Sequence, residues 1–166
     1  GLGLTYQQVK GKEINLGLDL KGGMNVTMEI SLAELTKSLA NNPTDADFNQ
    51  ALSNAQTQMN AGGKDFIALF VSEYEKLNPT GKLADFFSTQ ENAQQLKANA
   101  SNADVRKFLT KEGNSAVDRS FTILRSRIDG FGVVSPNMQK QEGSNRIFIE
   151  MPGVQDKQRV RKLLQG

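Results

Sequence analysis

Neither cysteine nor histidine occurs anywhere in the 166 residues. Without cysteine there is no disulfide and no thiol nucleophile, and the redox compartment leaves no trace. Without histidine, the commonest general base and the commonest metal ligand are both missing, so a Cys/His zinc site is excluded. No run approaches the roughly 18 consecutive apolar residues that a membrane-spanning helix needs. Charge of one sign is also lacking. Twenty Lys and Arg stand against eighteen Asp and Glu, a net +2 that is too balanced to point to a nucleic-acid partner by itself. Neither G-x-x-x-x-G-K-[ST] nor G-x-G-x-x-G occurs. Together these absences weigh against an enzyme and imply no cofactor.

What is present begins with a pattern change. Residues 4 to 14 read as a short helix, with Thr5 and Gln8 at capping-box spacing. From Met24 the period becomes two: Met24, Val26, Met28 and Ile30 alternate with Asn25, Thr27 and Glu29, the mark of a half-buried strand. Residues 32 to about 114 read as mostly helical, broken at Pro43, Gly62-Gly63 and Pro79. Thr44 or Asp45 caps a helix bearing Phe48, Leu52, Ala55 and Met59. A second helix bears Phe66, Ile67, Phe70, Tyr74 and Leu77, and a shorter one Leu83, Phe86 and Phe87. The polar stretch 89 to 104 reads as a weak helix and a loop, after which Val105, Phe108 and Leu109 resume an apolar face.

Ser115 to Phe131 carries Val117, Phe121, Leu124, Ile128 and Phe131 on one face. Gly132 supplies the left-handed residue that ends this helix, and Pro136 prevents its resumption. Two short strands follow, near 137–141 and 146–151, joined by Glu142-Gly143-Ser144-Asn145. Asp156 then caps a last helix with Val160, Leu163 and Leu164 on one face, and Gly166 just past its end. The order is strand, helical insert, helix, strand, strand, helix. The fold class is α+β: a ferredoxin-like β-α-β-β-α base, residues 1–30 and 115–166, lacking its last strand and carrying a mostly helical insertion at 31–114. The first strand is thereby left with an open edge, and a neighbouring molecule or the N-terminal residues are expected to cover it.

The stretch NLGLDLKGGMNV, residues 15–26, has the glycines of a phosphate loop but places them before a strand. Phosphate loops open helices, so spacing favours a tight structural turn in which Gly22 and Gly23 supply backbone freedom. The stretch gains meaning beside residues 123–166, about a hundred residues on. Leu124, Arg125, Arg127, Ile128, Gly132, Val133 and Pro136 fit L-R-x-R-[VI]-x-x-x-G-V-x-x-P. Arg146, Ile147, Ile149, Met151, Pro152, Gly153 and Val154 fit R-I-x-[VI]-x-[LM]-P-G-V. With the L-G-L-D-L-x-G-G that contains Asp19, Lys21, Gly22 and Gly23, these motifs closely resemble the SecD family of the bacterial protein-export machinery. The match lies at the two ends of the chain. Residues 31–114 are read as a longer insertion than the common family pattern.

The resemblance implies an extracytoplasmic segment of an inner-membrane protein, on the periplasmic side, whose membrane helices lie outside these residues. The chain opens on Gly1 without a charged-then-apolar leader and is read as a piece of a longer protein. Its implied work is assisting export of unfolded polypeptides through the Sec translocation channel, driven by the proton gradient, together with SecF, which some members carry fused in the same chain. The family needs no catalytic residue here. Phe86 and Phe87, adjacent on a helix, are the apolar pair proposed to touch polypeptide, with burial in the core as the plainer reading. Lys157, Arg159, Arg161 and Lys162 form a basic cluster, read either as a solvated face or as a contact for anionic headgroups. Arg125 and Arg127 are expected to pair with Asp118, Asp129 or Glu150. The competing reading is a non-catalytic ferredoxin-like module that binds another protein or RNA. An RNA binder of this topology needs aromatics on its open sheet face, where 146–151 offers only Phe148.

Overall fold

The computed structural model describes residues 11–18, 22–141 and 144–165. They divide into two compact units: one holds Leu32–Asn114, and the other is built from the described residues of 11–31 and 115–165.

The second unit is a sheet backed by helices. Strand β2 (Met24–Ile30) buries Met24, Val26, Met28 and Ile30, as its alternation requires. It pairs antiparallel with β4 (Arg146–Met151), setting Met24 against Met151, Val26 against Ile149 and Met28 against Ile147. Equal register puts these apolar side chains on one face of the sheet. Strand β3 (Asn137–Lys140) joins the far side of β4 and adds Met138 to the same face. Pro152 and Gly153 then end the ladder.

The open edge of β2 is covered by β1 (Gly11–Leu18), which runs antiparallel to it from Gly11 opposite Ile30 to Leu18 opposite Met24. The sheet order is β1-β2-β4-β3. This corrects the helix expected at 4–14. Residues 11–14 are strand, and Thr5 and Gln8 lie outside the described residues. Gly11 is a poor helix former, and the unpaired N–H and C=O groups along β2 offer that backbone a ladder partner. A bulge between Glu13 and Asn15 leaves Ile14 exposed.

Helix α5 (Asn102–Phe131) is longer than expected, running without a break through Gly113. An interior glycine costs about 1 kcal/mol relative to alanine. Buried side chains on both sides of it (Val105, Phe108 and Leu109 before, Ala116, Val117, Leu124 and Ile128 after) outweigh that penalty. From Ser115 onward the helix belongs to the sheet unit. It ends where Gly132 adopts φ +88°. Helix α6 (Lys157–Gln165) starts at Asp156, whose Oδ1 accepts from the Arg159 amide at 3.1 Å, and buries Val160 and Leu164. The turn residues Glu142 and Gly143 and the terminal Gly166 lie outside the described residues.

The helical unit follows its sequence more closely. Helix α1 (Leu32–Leu39) precedes α2 (Ala46–Asn60) and α3 (Phe66–Leu77). Asp45 and Asp65 cap the latter two, accepting from Phe48 N at 2.9 Å and Ala68 N at 3.0 Å. A single turn, α4 (Ala84–Phe87), completes an aromatic core. Phe48 lies 5.2 Å from Phe70, 4.9 Å from Phe86 and 5.7 Å from Phe87, centroid to centroid. The stretch 89–100 holds turns rather than a helix, pinned by buried Asn92, whose Nδ2 donates to Phe87 O at 2.9 Å and Leu39 O at 3.1 Å.

Candidate functional site

The two sequence motifs meet at one end of the sheet. Gly22 turns with φ +89°, and Gly23 leads into β2. A Cβ built on Gly23 would lie 3.0 Å from Met151 O, 3.0 Å from Pro152 Cα and 3.2 Å from Gly153 N. These are backbone atoms that no rotamer change can move aside, so only glycine permits this approach. The glycines before β2 therefore serve close packing against Met151-Pro152-Gly153, and nothing about them opens a helix toward an anion. Gly153 takes φ +70°, a second turn that glycine favours. Asp19 and Lys21, of the same motif, lie outside the described residues.

A groove of about 420 Å³ lies along Phe131–Val134 and Pro152–Asp156, next to that junction. Val133, Val134, Pro152 and Val154 give it apolar walls. Val134 is 77% exposed. The Arg159 guanidinium sits 4.9 Å from the Phe131 ring centroid, a cation–π contact that holds one positive charge at the rim. Gly132 and Pro136 shape the turn that presents Val133 and Val134. Apolar walls with one cation, Arg159, and one carboxylate, Asp156, line the groove. Among the described residues no group of three or more acidic side chains is arranged to hold a metal ion.

The motif arginines play unlike parts. Arg146 lies opposite Glu29 in the β2–β4 ladder, with Nη2 3.6 Å from its carboxylate, and Lys12 approaches the same carboxylate at 3.7 Å from β1. Glu29 is only 3% exposed although its strand alternation assigned it to the polar side. A carboxylate so buried needs the two cations that flank it. Beside it, Asn145 Nδ2 donates to Ile30 O at 2.6 Å and pins the end of β2. Sequence reasoning missed both Glu29 and Asn145, because each acquires its role only across strands. The pairing expected of Arg125 and Arg127 does not form. Asp118 pairs with Lys140, Arg127 Nη1 donates to Leu163 O at 3.5 Å, and exposed Arg125 pairs with none of the described carboxylates.

The basic cluster of the last helix is not one face. Arg161 forks onto Glu13 of β1 at 3.0 and 3.1 Å, Arg159 stacks on Phe131, and Lys162 remains exposed. Phe86 and Phe87 take the plainer of their two readings, burial in the core. Phe87 has no exposed surface and Phe86 is half-buried against Phe48 and Tyr74, so Phe87 is unavailable to a partner at the surface. A one-turn helix closing an aromatic core places both rings inward. In the same unit, hydrogen bonding from Lys76 at 2.9 Å lowers the Glu73 carboxyl pKa, and burial raises that of the Tyr74 phenol. Phe148 is an exposed aromatic on the other sheet face, at 40%.

Comparison with known proteins follows the same geometry. Residues 117–166 match the family described as Protein translocase subunit SecDF, P1 domain, N-terminal. A Protein translocase subunit SecD from Rhodothermus marinus is 37% identical over 162 residues, covering 98% of this chain and 25% of that protein. One from Acetobacter pasteurianus is 30% identical over 178 residues, covering 99% and 33%. The Escherichia coli K12 protein of the same name is 28% identical over 173 residues, covering 94% and 26%. The chain thus spans a quarter to a third of the length of these curated relatives. The alignments run through the helical insertion, so the likeness is not confined to the two ends and the insertion is not peculiar to this chain. No solved structure matches.

Proposed function

The chain belongs to the SecD family of protein translocase subunits, and from that premise we propose that it is the part of the P1 domain that supports polypeptide during export. In this reading residues 1–30 and 115–166 form a ferredoxin-like base, with β1 standing where the last strand of that fold would pair, and 31–114 form its helical insertion. The segment works on the periplasmic side of the inner membrane, anchored by helices elsewhere in the full protein. Its partners are SecF, the translocation channel and unfolded secretory chains, and the proton gradient drives the assembly without reaction chemistry in these residues.

The observation that carries the reading is the apolar groove that lies beside the junction of the family motifs. Gly22, Gly23, Pro152 and Gly153 hold the junction, Gly132 and Pro136 shape its lip, and Val134 presents an exposed apolar side chain there. A surface that must accept many sequences does better with an open apolar groove than with a sharply specific pocket. Arg127 and Arg146 then act in the platform's own architecture.

The test is photo-crosslinking in the full-length protein in membranes, with the probe at Val134 and a stalled secretory chain as target. Crosslinks at Val134, and none from exposed Lys162 on the last helix, are expected. Crosslinks from Lys162 and none from Val134 would remove the groove from the export path.

A further inference from the structure

The helical insertion carries a second cleft, of about 600 Å³, that the groove reading does not use. Its floor is Leu96 and Phe108, both almost fully buried, and its rim carries Lys97, Lys107 and Lys111. None of the three lysines forms an ion pair with a described residue. Lys107 and Lys111 stand one helical turn apart on α5, where like charges repel. The carboxylate at the cleft, Asp104, accepts from the Ser101 amide at 3.2 Å in a capping exchange. The concentration of positive charge is local, since residues 32–114 hold ten acidic and eight basic side chains.

We propose that this cleft binds an extended polypeptide segment bearing acidic side chains. Three uncompensated cations spread around a cleft far larger than one phosphate suit several spaced carboxylates. Gln95 and Asn99 line it with amides that both donate and accept, matching the two polar groups of a peptide unit. The apolar residues are floor and not protruding surface, so nothing here is built to insert into a bilayer. The inference concerns the insertion alone, and its failure leaves the Val134 result untouched.

The test is fluorescence anisotropy of a short fluorescein-labelled peptide of alternating glutamate and valine with the whole chain, beside an alternating lysine–valine peptide and free fluorescein. All three lysines are exposed, so Lys97→Gln, Lys107→Gln, Lys111→Gln together leave the fold intact, checked by circular dichroism. The acidic peptide alone is expected to bind, about tenfold more weakly in the triple variant, given the modest strength of exposed charge pairs. Arginine at the same positions restores binding, and added salt weakens it. Binding indifferent to the triple variant, or no binding at all, overturns the proposal. So does equal displacement by inorganic phosphate, or lysine-dependent binding to phosphatidylglycerol vesicles in place of the peptide, since either assigns the cleft to a simple anion or to a lipid headgroup.

Discussion

Gly23 and Met151 sit in different motifs, yet the missing side chain of one makes room for the main chain of the other: a Cβ on Gly23 would come within 3.0 Å of Met151 O. Gly23→Ala therefore overpacks a backbone junction and is expected to destabilise by about 1–3 kcal/mol. Gly17→Ala is the matched control in the neighbouring strand, where the added Cβ meets Asn25 Cβ at an ordinary 3.7 Å. Urea midpoints of the two variants should differ clearly, with the larger fall for Gly23→Ala.

The edge strand is held by a charge fork as well as by its ladder. Arg161 Nε and Nη2 donate to Glu13 Oε2 and Oε1 across 148 residues of sequence. A double-mutant cycle with Glu13→Gln and Arg161→Gln should yield a coupling of about 1 kcal/mol, the upper range for a pair with partly exposed partners. Hydrogen exchange should quicken in β1 ahead of β4, because losing the fork loosens the edge before the centre.

The aromatic core of the helical unit makes a sharper prediction. Phe48 and Phe70 are both fully buried and meet edge to face. Phe70→Ala should cost about 3–5 kcal/mol through lost burial and the cavity left behind. Phe86→Ala, at a half-buried ring, should cost clearly less in the same thermal or urea unfolding experiment.

Two titrations carry opposite signs. Glu73, held below its ordinary 4.5 by hydrogen bonding from Lys76, contributes stability that is present above the unfolded carboxyl value and lost as pH falls through the lowered folded one. Lys76→Met should flatten that acid limb of a stability–pH curve. Tyr74, raised above 10.0 by burial, contributes stability present below the unfolded phenol value and lost as pH rises through the folded one. A phenolate absorbance titration in a Tyr6→Phe background should show Tyr74 ionising above the free phenol, and at its ordinary value once the chain is unfolded.

Elements whose cause is local were legible in the residues. The alternation from Met24 to Ile30, the Asp45 and Asp156 caps and the Gly132 stop each depend on side chains within a turn or two of one another, and the structure has them at those positions. Their readings failed where one residue was judged against its neighbours alone. The helix was begun at Ser115 although the buried face of Val105, Phe108 and Leu109 carries it back to Asn102, and a polypeptide contact at Phe86-Phe87 was weighed without the core that Phe48 and Phe70 build. In the site, the glycines and prolines could be picked out by motif, whereas the groove beside them could not.

By itself the sequence determined the family, the α+β alternation of elements and the exclusion of thiol and imidazole chemistry, because those reside in residue identity and short-range period. Tertiary structure alone decided that Gly11–Leu18 would be a strand, that Glu29 would be buried between Lys12 and Arg146, and that Gly23 would meet Pro152. Each of these is a pairing between segments far apart in the chain. Backbone groups along an edge, or a charge without water, are satisfied by whatever the fold brings alongside, and local pattern carries no record of that neighbour.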